Sequence, residues 1–179
     1  MARTIELLFD YVSPYAYLAS TQLGALAARH GADVLPTPVL LGALLTAAGS
    51  RGPAEIPARR EYLIHDITRL ARALAVPIAP PATHPFNPLA ALRITWAAPP
   101  EQRGALMSAL FRGAWVEGRR VDDPAVVAAI AAEVGLDGDA LGARAASAEV
   151  KERLRAATDG AIARGAFGVP TMLVDGELF

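Results

Sequence analysis

The sequence contains no cysteine among its 179 residues. The protein therefore cannot form a disulfide, bind a metal through a thiolate or use a cysteine as its nucleophile. It has three histidines, His30, His65 and His84, and no two of them lie four residues apart. A zinc site is therefore not expected, and a disulfide oxidoreductase is excluded by composition.

An excess of charge of one sign is also missing. The sequence has 17 Lys and Arg against 18 Asp and Glu, for a formal net charge of −1. It has no basic run of the kind that follows phosphates, so we expect no nucleic-acid partner. The longest near-apolar run, residues 39–48, is too short to cross a bilayer, and Glu6 interrupts the first apolar stretch where a signal peptide would need a continuous core. These features predict a cytoplasmic protein without a membrane partner.

The first 38 residues have the pattern of a strand, a helix and a second strand. Residues 4–9 are short and apolar, which is typical of a buried strand. Ser13-Pro14 is a helix-start signal, and Gly31 is a stop signal. Residues 33–38 predict a second strand, which Pro36 marks as an edge strand or an irregular one. This order favours a βαβ unit with parallel strands.

The middle of the chain is predominantly helical in pattern. The apolar spacing and the proline starts predict helices at 57–75, 88–98, 100–116, 124–134 and 148–164. After these, residues 171–174 return to a strand pattern, and Asp175-Gly176 predicts a hairpin. The returning strand has barely begun when the sequence ends at Phe179, so we expect that a natural C-terminal segment follows.

Ser13 is the first candidate for chemistry. A helix N-terminus presents unpaired N–H groups and about half a positive charge, which stabilises an anion such as a thiolate. A serine hydroxyl is a poor nucleophile without a neighbouring base, but it can donate a hydrogen bond to a thiolate brought by a ligand. The alternative is an ordinary N-cap that stabilises the helix by roughly 1 kcal/mol.

Val169-Pro170, just before the last strand pair, is the second candidate. A cis peptide bond here would leave the Val169 N–H and C=O unpaired and available to an extended tripeptide, as in strand addition. The alternative is a trans proline that opens an edge strand.

These two features and the helical block between them resemble one known family. The family is that of the 2-hydroxychromene-2-carboxylate isomerases, which have DsbA-like thioredoxin folds and are related to kappa-class glutathione transferases. The matching residues are Phe9 to Tyr15, Leu41-Gly42, Gly49, Pro53, Pro57-Ala58, Arg60 to Tyr62, Pro85 to Asn87, Leu92-Arg93 and Gly165 to Thr171.

The resemblance implies an α/β fold, in which residues 1–38 and 148–179 form a thioredoxin-like domain and 39–147 form a helical insertion. It implies a homodimer that binds glutathione and isomerises a small carboxylate from aromatic degradation. Ser13 would hold the glutathione sulfur. The other implied glutathione-binding residues are Tyr15, Ser50, Val169 and Pro170.

Three departures from the family pattern concern glutathione. Ser50 stands where the family usually has asparagine, and Thr46 stands where it often has lysine. The family's Asp-Arg pair, which holds the γ-glutamyl end, would follow the hairpin beyond Phe179.

Two further residues are candidates for the substrate pocket. Asn87 precedes a proline and is first a helix-start signal. Trp115 lies four residues after Phe111 on one helix, a spacing that favours packing over a substrate wall.

Three functions stay open from the sequence. The first is glutathione-dependent cis–trans isomerisation. The second is conjugation of electrophiles by a kappa-like glutathione transferase. The third is a non-catalytic thioredoxin-like binding module.

Overall fold

The computed structural model describes residues 3–179. Its strands are β1 (Arg3–Phe9), β2 (Ala32–Pro38), β3 (Thr171–Val174) and β4 (Glu177–Leu178). Its α-helices are α1 (Pro14–Arg29), α2 (Leu41–Ala47), α3 (Pro57–Ala73), α4 (Leu89–Ala97), α5 (Arg103–Trp115), α6 (Pro124–Glu133), α7 (Gly138–Ala145) and α8 (Ala148–Ala163). Short 3₁₀ turns at Pro53–Glu55 and Pro100–Gln102 precede α3 and α5.

The four strands form one mixed sheet in the order β2-β1-β3-β4. β1 is parallel to β2 and antiparallel to β3, which continues through Asp175-Gly176 into β4. The predicted parallel βαβ unit, the edge position of the strand containing Pro36 and the hairpin are all confirmed. Both hairpin residues have positive φ angles, 52° for Asp175 and 86° for Gly176, which is the conformation that an Asp-Gly turn favours.

Helices α1, α3, α6 and α8 begin where the sequence predicts. Ser13, Asp123, Asp137 and Ser147 each cap a helix by accepting a hydrogen bond from a backbone N–H with the side-chain oxygen. The helix predicted for 100–116 begins with a 3₁₀ turn and becomes α-helical at Arg103. The bounds of α2 and α7 were not predicted, because both are short and contain glycine.

Strand β1 is buried on both faces and fixes the position of the loop that follows it. Leu7 and Phe9 face the larger core, which they share with α1 and the helices of the middle segment. Leu8 faces a second core with Leu44 and Leu173. Because successive strand residues point to opposite faces, β1 is held from both sides and delivers residues 10–13 to one edge of the sheet.

The predicted domain division falls between elements. β2 ends at Pro38 and α8 begins at Ala148, although the large core is continuous across the boundary. The division into 1–38 with 148–179, and 39–147, stays a prediction. Among residues 3–179, no helix is long and apolar enough to cross a membrane.

Candidate active site

A cavity of about 520 Å³ opens where the carboxyl end of β1 meets α1, α2 and the loop before β3. Segments far apart in the sequence line it. Among the lining residues are Ser13, Tyr15, Ser50, His84, Phe167 and Val169. Four of the predicted site residues therefore share one cavity.

Ser13 combines the two roles that the sequence left open. It caps α1, where its Oγ accepts a hydrogen bond from the Ala16 N–H at 3.2 Å. The same hydroxyl donates to the Val169 carbonyl at 3.3 Å. Only 5% of Ser13 is exposed, so its hydroxyl is held between the helix terminus and the loop before β3. The long, weak bond to Val169 leaves the proton available to a stronger acceptor.

The first turn of α1 has one free backbone donor. Pro14 has no N–H, the Ala16 N–H bonds to the Ser13 side chain, and the Tyr17 N–H bonds to the Ser13 carbonyl. The Tyr15 N–H has no partner within the described residues. The Ser13 hydroxyl and the Tyr15 N–H are therefore the two donors that the start of α1 can offer to an anion.

Only one of the two Val169 backbone groups is unpaired, whereas the sequence predicted that both would be. The Val169–Pro170 peptide bond is cis. The prediction that the Val169 carbonyl is unpaired was wrong, because that carbonyl accepts the Ser13 hydroxyl. The capping serine has a proton left to donate, and the loop brings the carbonyl within its reach. The Val169 N–H has no partner among residues 3–179 and remains available to an extended ligand.

The other predicted residues are divided between the cavity and its surroundings. Ser50 lines the cavity, whereas Pro170 lies beside the wall. Asn87 is exposed and absent from the lining, and its Oδ1 accepts from the Leu89 N–H at 3.1 Å. It thus acts at the helix start, not in the pocket. Trp115 is also absent from the lining. It is 1% exposed, and its Nε1 donates to the Tyr11 carbonyl at 2.8 Å, one layer behind the cavity.

Asp10, which directly follows β1, is a functional candidate that sequence reasoning missed. Its carboxyl group is fully buried and lines the cavity floor. One oxygen accepts from the Val12 N–H at 3.1 Å and the other from the Leu41 N–H at 2.9 Å. Burial raises the pKa of Asp10 to about 7, although both N–H groups act in the opposite direction. Asp10 therefore ties the loop before α1 to the start of α2.

We expect Asp10→Asn to remove a pH dependence of stability. The folded-state pKa of Asp10 lies above its ordinary value of 3.8, so between about pH 4 and pH 7 the folded protein binds more protons than the unfolded chain. The free energy of unfolding contributed by this group therefore falls as the pH rises through that window. The free energy of unfolding should be measured with urea at several pH values in this window. Its slope against pH should be less negative for Asp10→Asn than for the unmodified protein.

The control for this experiment is Asp139→Asn, which changes an exposed carboxyl in the first turn of α7. It should keep the original slope. An unchanged slope in Asp10→Asn would mean that Asp10 titrates as it does in the unfolded chain.

His84 is the second functional candidate that sequence reasoning missed. Its Nε2 lies 2.8 Å from the Val12 carbonyl, immediately before Ser13 in the chain. The His84 ring packs edge-on against Trp115, with centroids 5.3 Å apart, and lies 6.4 Å from the Phe86 ring. Burial lowers the pKa of His84, and the charge of Arg60 adds to this effect. The lowered pKa favours the neutral form of the ring, although the hydrogen bond to the Val12 carbonyl acts in the opposite direction.

Within residues 3–179, no group of three or more His, Asp or Glu side chains is arranged to hold a metal ion.

Comparisons with known proteins identify the family of this chain. Residues 4–179 match the DSBA-like thioredoxin domain family. The chain is 32% identical to 2-hydroxychromene-2-carboxylate isomerase of Sphingobium xenophagum, over 100% of this chain and 92% of that protein. It is 26% identical to human glutathione S-transferase kappa 1, over 99% and 84%.

A solved structure of 2-hydroxychromene-2-carboxylate isomerase superposes with a TM-score of 0.90 at 27% identity. The match covers 98% of this chain and 87% of that one. The predicted thioredoxin-like α/β fold is thereby confirmed.

Proposed function

This chain belongs to the DSBA-like thioredoxin domain family and is an isomerase akin to the 2-hydroxychromene-2-carboxylate isomerases, and we propose that its reaction depends on glutathione. The proposed substrates are 2-hydroxychromene-2-carboxylate and trans-o-hydroxybenzylidenepyruvate. One observation carries the proposal: Ser13 and Tyr15, whose hydroxyl and backbone N–H are the donors at the start of α1, both line the cavity of a protein that has no cysteine.

The residues present fit a tripeptide thiol. The free Val169 N–H would pair with the cysteinyl backbone, as when an extended peptide adds to a sheet edge. Ser50 would contact the ligand from the loop after α2. The rim arginines, Arg51 and Arg59, offer positive charge to carboxylates. A volume of about 520 Å³ is in the range of small-molecule sites.

Glutathione held at Ser13 would supply a thiolate for reversible addition to the conjugated carbon, which would turn the double bond into a rotatable single bond. The protein's part is electrostatic. The α1 terminus and the Ser13 hydroxyl favour the thiolate over the thiol, whose ordinary pKa is about 8.5. Because these donors are already in place before the ligand arrives, they need no reorganisation during the reaction.

The cavity also suits an aromatic carboxylate. Leu45, Phe86 and Phe167 contribute apolar surface, and Phe167 is 72% exposed at the mouth. An aromatic ring would lie on this surface while its carboxylate faces a rim arginine.

The test is an absorbance assay of the purified protein with the chromene carboxylate. We expect interconversion with glutathione and almost none with S-methylglutathione, which has the same peptide but no free thiol. Equal rates with the two compounds, or without either, would contradict the proposal.

Conjugation is the second candidate, favoured by the similarity to the kappa transferase. The two functions differ in their products. Isomerisation returns glutathione unchanged, whereas conjugation leaves a stable adduct that mass spectrometry detects. Similarity to named isomerases favours the enzyme over a non-catalytic binding module.

We further propose that the protein acts in the cytoplasm, where glutathione is kept reduced, and that it forms a homodimer, as the family resemblance implies. Light scattering during gel filtration should give a mass of twice the chain mass of 18.7 kDa. A monomer over the working concentration range would refute the dimer without affecting the proposed reaction.

A further inference from the structure

His84 has its two ring nitrogens in different situations. The Val12 carbonyl can only accept a hydrogen bond, so Nε2 must donate, and in the neutral ring the proton is therefore on Nε2. Nδ1 is left with a lone pair and has no partner among the described residues. The ring is thus fixed in one tautomer, with one nitrogen free to accept a proton.

The other carboxyl groups of the cavity are already engaged. Asp10 has both oxygens bonded to backbone N–H groups. Glu55 accepts from the Gly52 N–H at 2.7 Å and faces Arg51. Both carboxyl groups therefore already have hydrogen-bond or ionic partners.

The remaining titratable groups of the lining do not suit proton exchange at neutral pH. The Tyr15 hydroxyl donates to Asp66 at 2.8 Å, and its pKa is raised to about 12, chiefly by burial. The guanidinium groups of Arg51 and Arg59 can donate hydrogen bonds but cannot accept them. His84 is therefore the only lining residue within 3–179 with a neutral, unengaged base.

We propose that His84 relays the proton that opens the closed form of the substrate, with Nδ1 as the exchanging atom. This inference rests on the proposed function. In the closed form, one carbon carries a hydroxyl, a carboxylate and the ring oxygen. Nδ1 accepts the hydroxyl proton, the C=O bond forms, and the bond from carbon to the ring oxygen breaks with its electron pair going to that oxygen. His84 then returns the proton to the resulting phenolate. Atoms, charge and electrons balance, and no co-reactant is consumed.

The position of His84 supports this role. Its bond to the Val12 carbonyl places the ring beside the turn that carries Ser13. The edge-on contact with Trp115 keeps the ring from rotating. A base beside the thiolate-binding helix start would let ring opening and double-bond rotation take place in one cavity.

The decisive variant is His84→Gln. The glutamine amide can keep the N–H bond to the Val12 carbonyl but provides no base. Turnover of the chromene carboxylate should fall on the order of 10²-fold, the usual contribution of a positioned acid–base group. Isomerisation of cis-benzylidenepyruvate, which has no ring to open, should fall at least tenfold less than turnover of the chromene carboxylate, and calorimetry should show that glutathione still binds.

A second readout does not depend on activity. Nitrogen-15 NMR of the histidine rings, assigned through His84→Gln, should show His84 as the Nε2–H tautomer near neutral pH. The Nδ1–H tautomer, or equal loss of turnover on both substrates, would overturn the role of His84. If the unmodified protein showed no glutathione-dependent turnover on either substrate, the proposed function itself would fail, and this inference with it.

Discussion

Replacing Ser13 with alanine should lower glutathione-dependent turnover by roughly 10- to 150-fold. The basis is that a hydrogen bond to a charged group is worth about 1.5–3 kcal/mol. The side chain is 5% exposed and lines the cavity, so water cannot easily replace its hydroxyl. The measurement is kcat with saturating glutathione, together with the pKa of the bound thiol followed by its ultraviolet thiolate absorbance. That pKa should rise toward its value in free glutathione.

The chain offers a matched control in Ser147→Ala. Ser147 caps α8 by accepting from the Val150 N–H at 3.2 Å, the same distance at which Ser13 accepts from Ala16. Both substitutions remove a cap and should cost about 1 kcal/mol of stability. Only Ser13→Ala should reduce turnover and raise the thiol pKa. Unchanged turnover in Ser13→Ala would reduce Ser13 to a capping residue.

Gly138→Ala should lower the free energy of unfolding by about 3 kcal/mol, the upper range for overpacking a close contact. Gly138 begins α7, and a Cβ atom there would overlap the Ala128 carbonyl oxygen in α6. Because the obstacle is backbone, the two helices must move apart. Urea unfolding monitored by circular dichroism gives the change directly.

Gly142→Ala tests the same pair of helices without the clash. Its Cβ would lie 4.0 Å from the Ala128 Cβ, an ordinary contact. Alanine is favoured over glycine in helix interiors by up to about 1 kcal/mol, so this variant should be as stable as the parent or more so. If Gly138→Ala were as stable as the parent protein, α6 and α7 could not be packed as closely at Gly138 as described.

Local sequence signals predicted the elements that position the site. Ser13-Pro14 marked the start of α1, Pro36 placed β2 at an edge, and Asp175-Gly176 marked the hairpin. Each signal acts through the conformation of one or two residues, so neighbouring sequence suffices. The pairing of Phe111 and Trp115 as core residues also follows from helical spacing and is confirmed.

The roles of Asp10 and His84 could not be predicted in this way. In the sequence, Asp10 is a polar residue at the end of a strand and resembles a loop residue. Its role depends on the hydrogen bond from the Leu41 N–H, 31 residues away. His84 lies in an irregular segment, 72 residues from the Val12 carbonyl that fixes its ring. Neither residue belongs to a periodic pattern, and the properties that matter arise from burial and distant partners. The bond between Ser13 and Val169 was missed for the same reason.

The order of strands has a consequence for synthesis on the ribosome. Ser13 emerges 156 residues before Val169, which at about 5–20 residues per second is a delay of roughly 8 to 30 seconds. β1 can pair with β2 early, but its other edge stays open until β3 is made. A nascent chain therefore has an unpaired strand edge at β1, with apolar side chains such as Leu8 not yet covered. Chaperones bind surfaces of this kind, and such surfaces also promote aggregation.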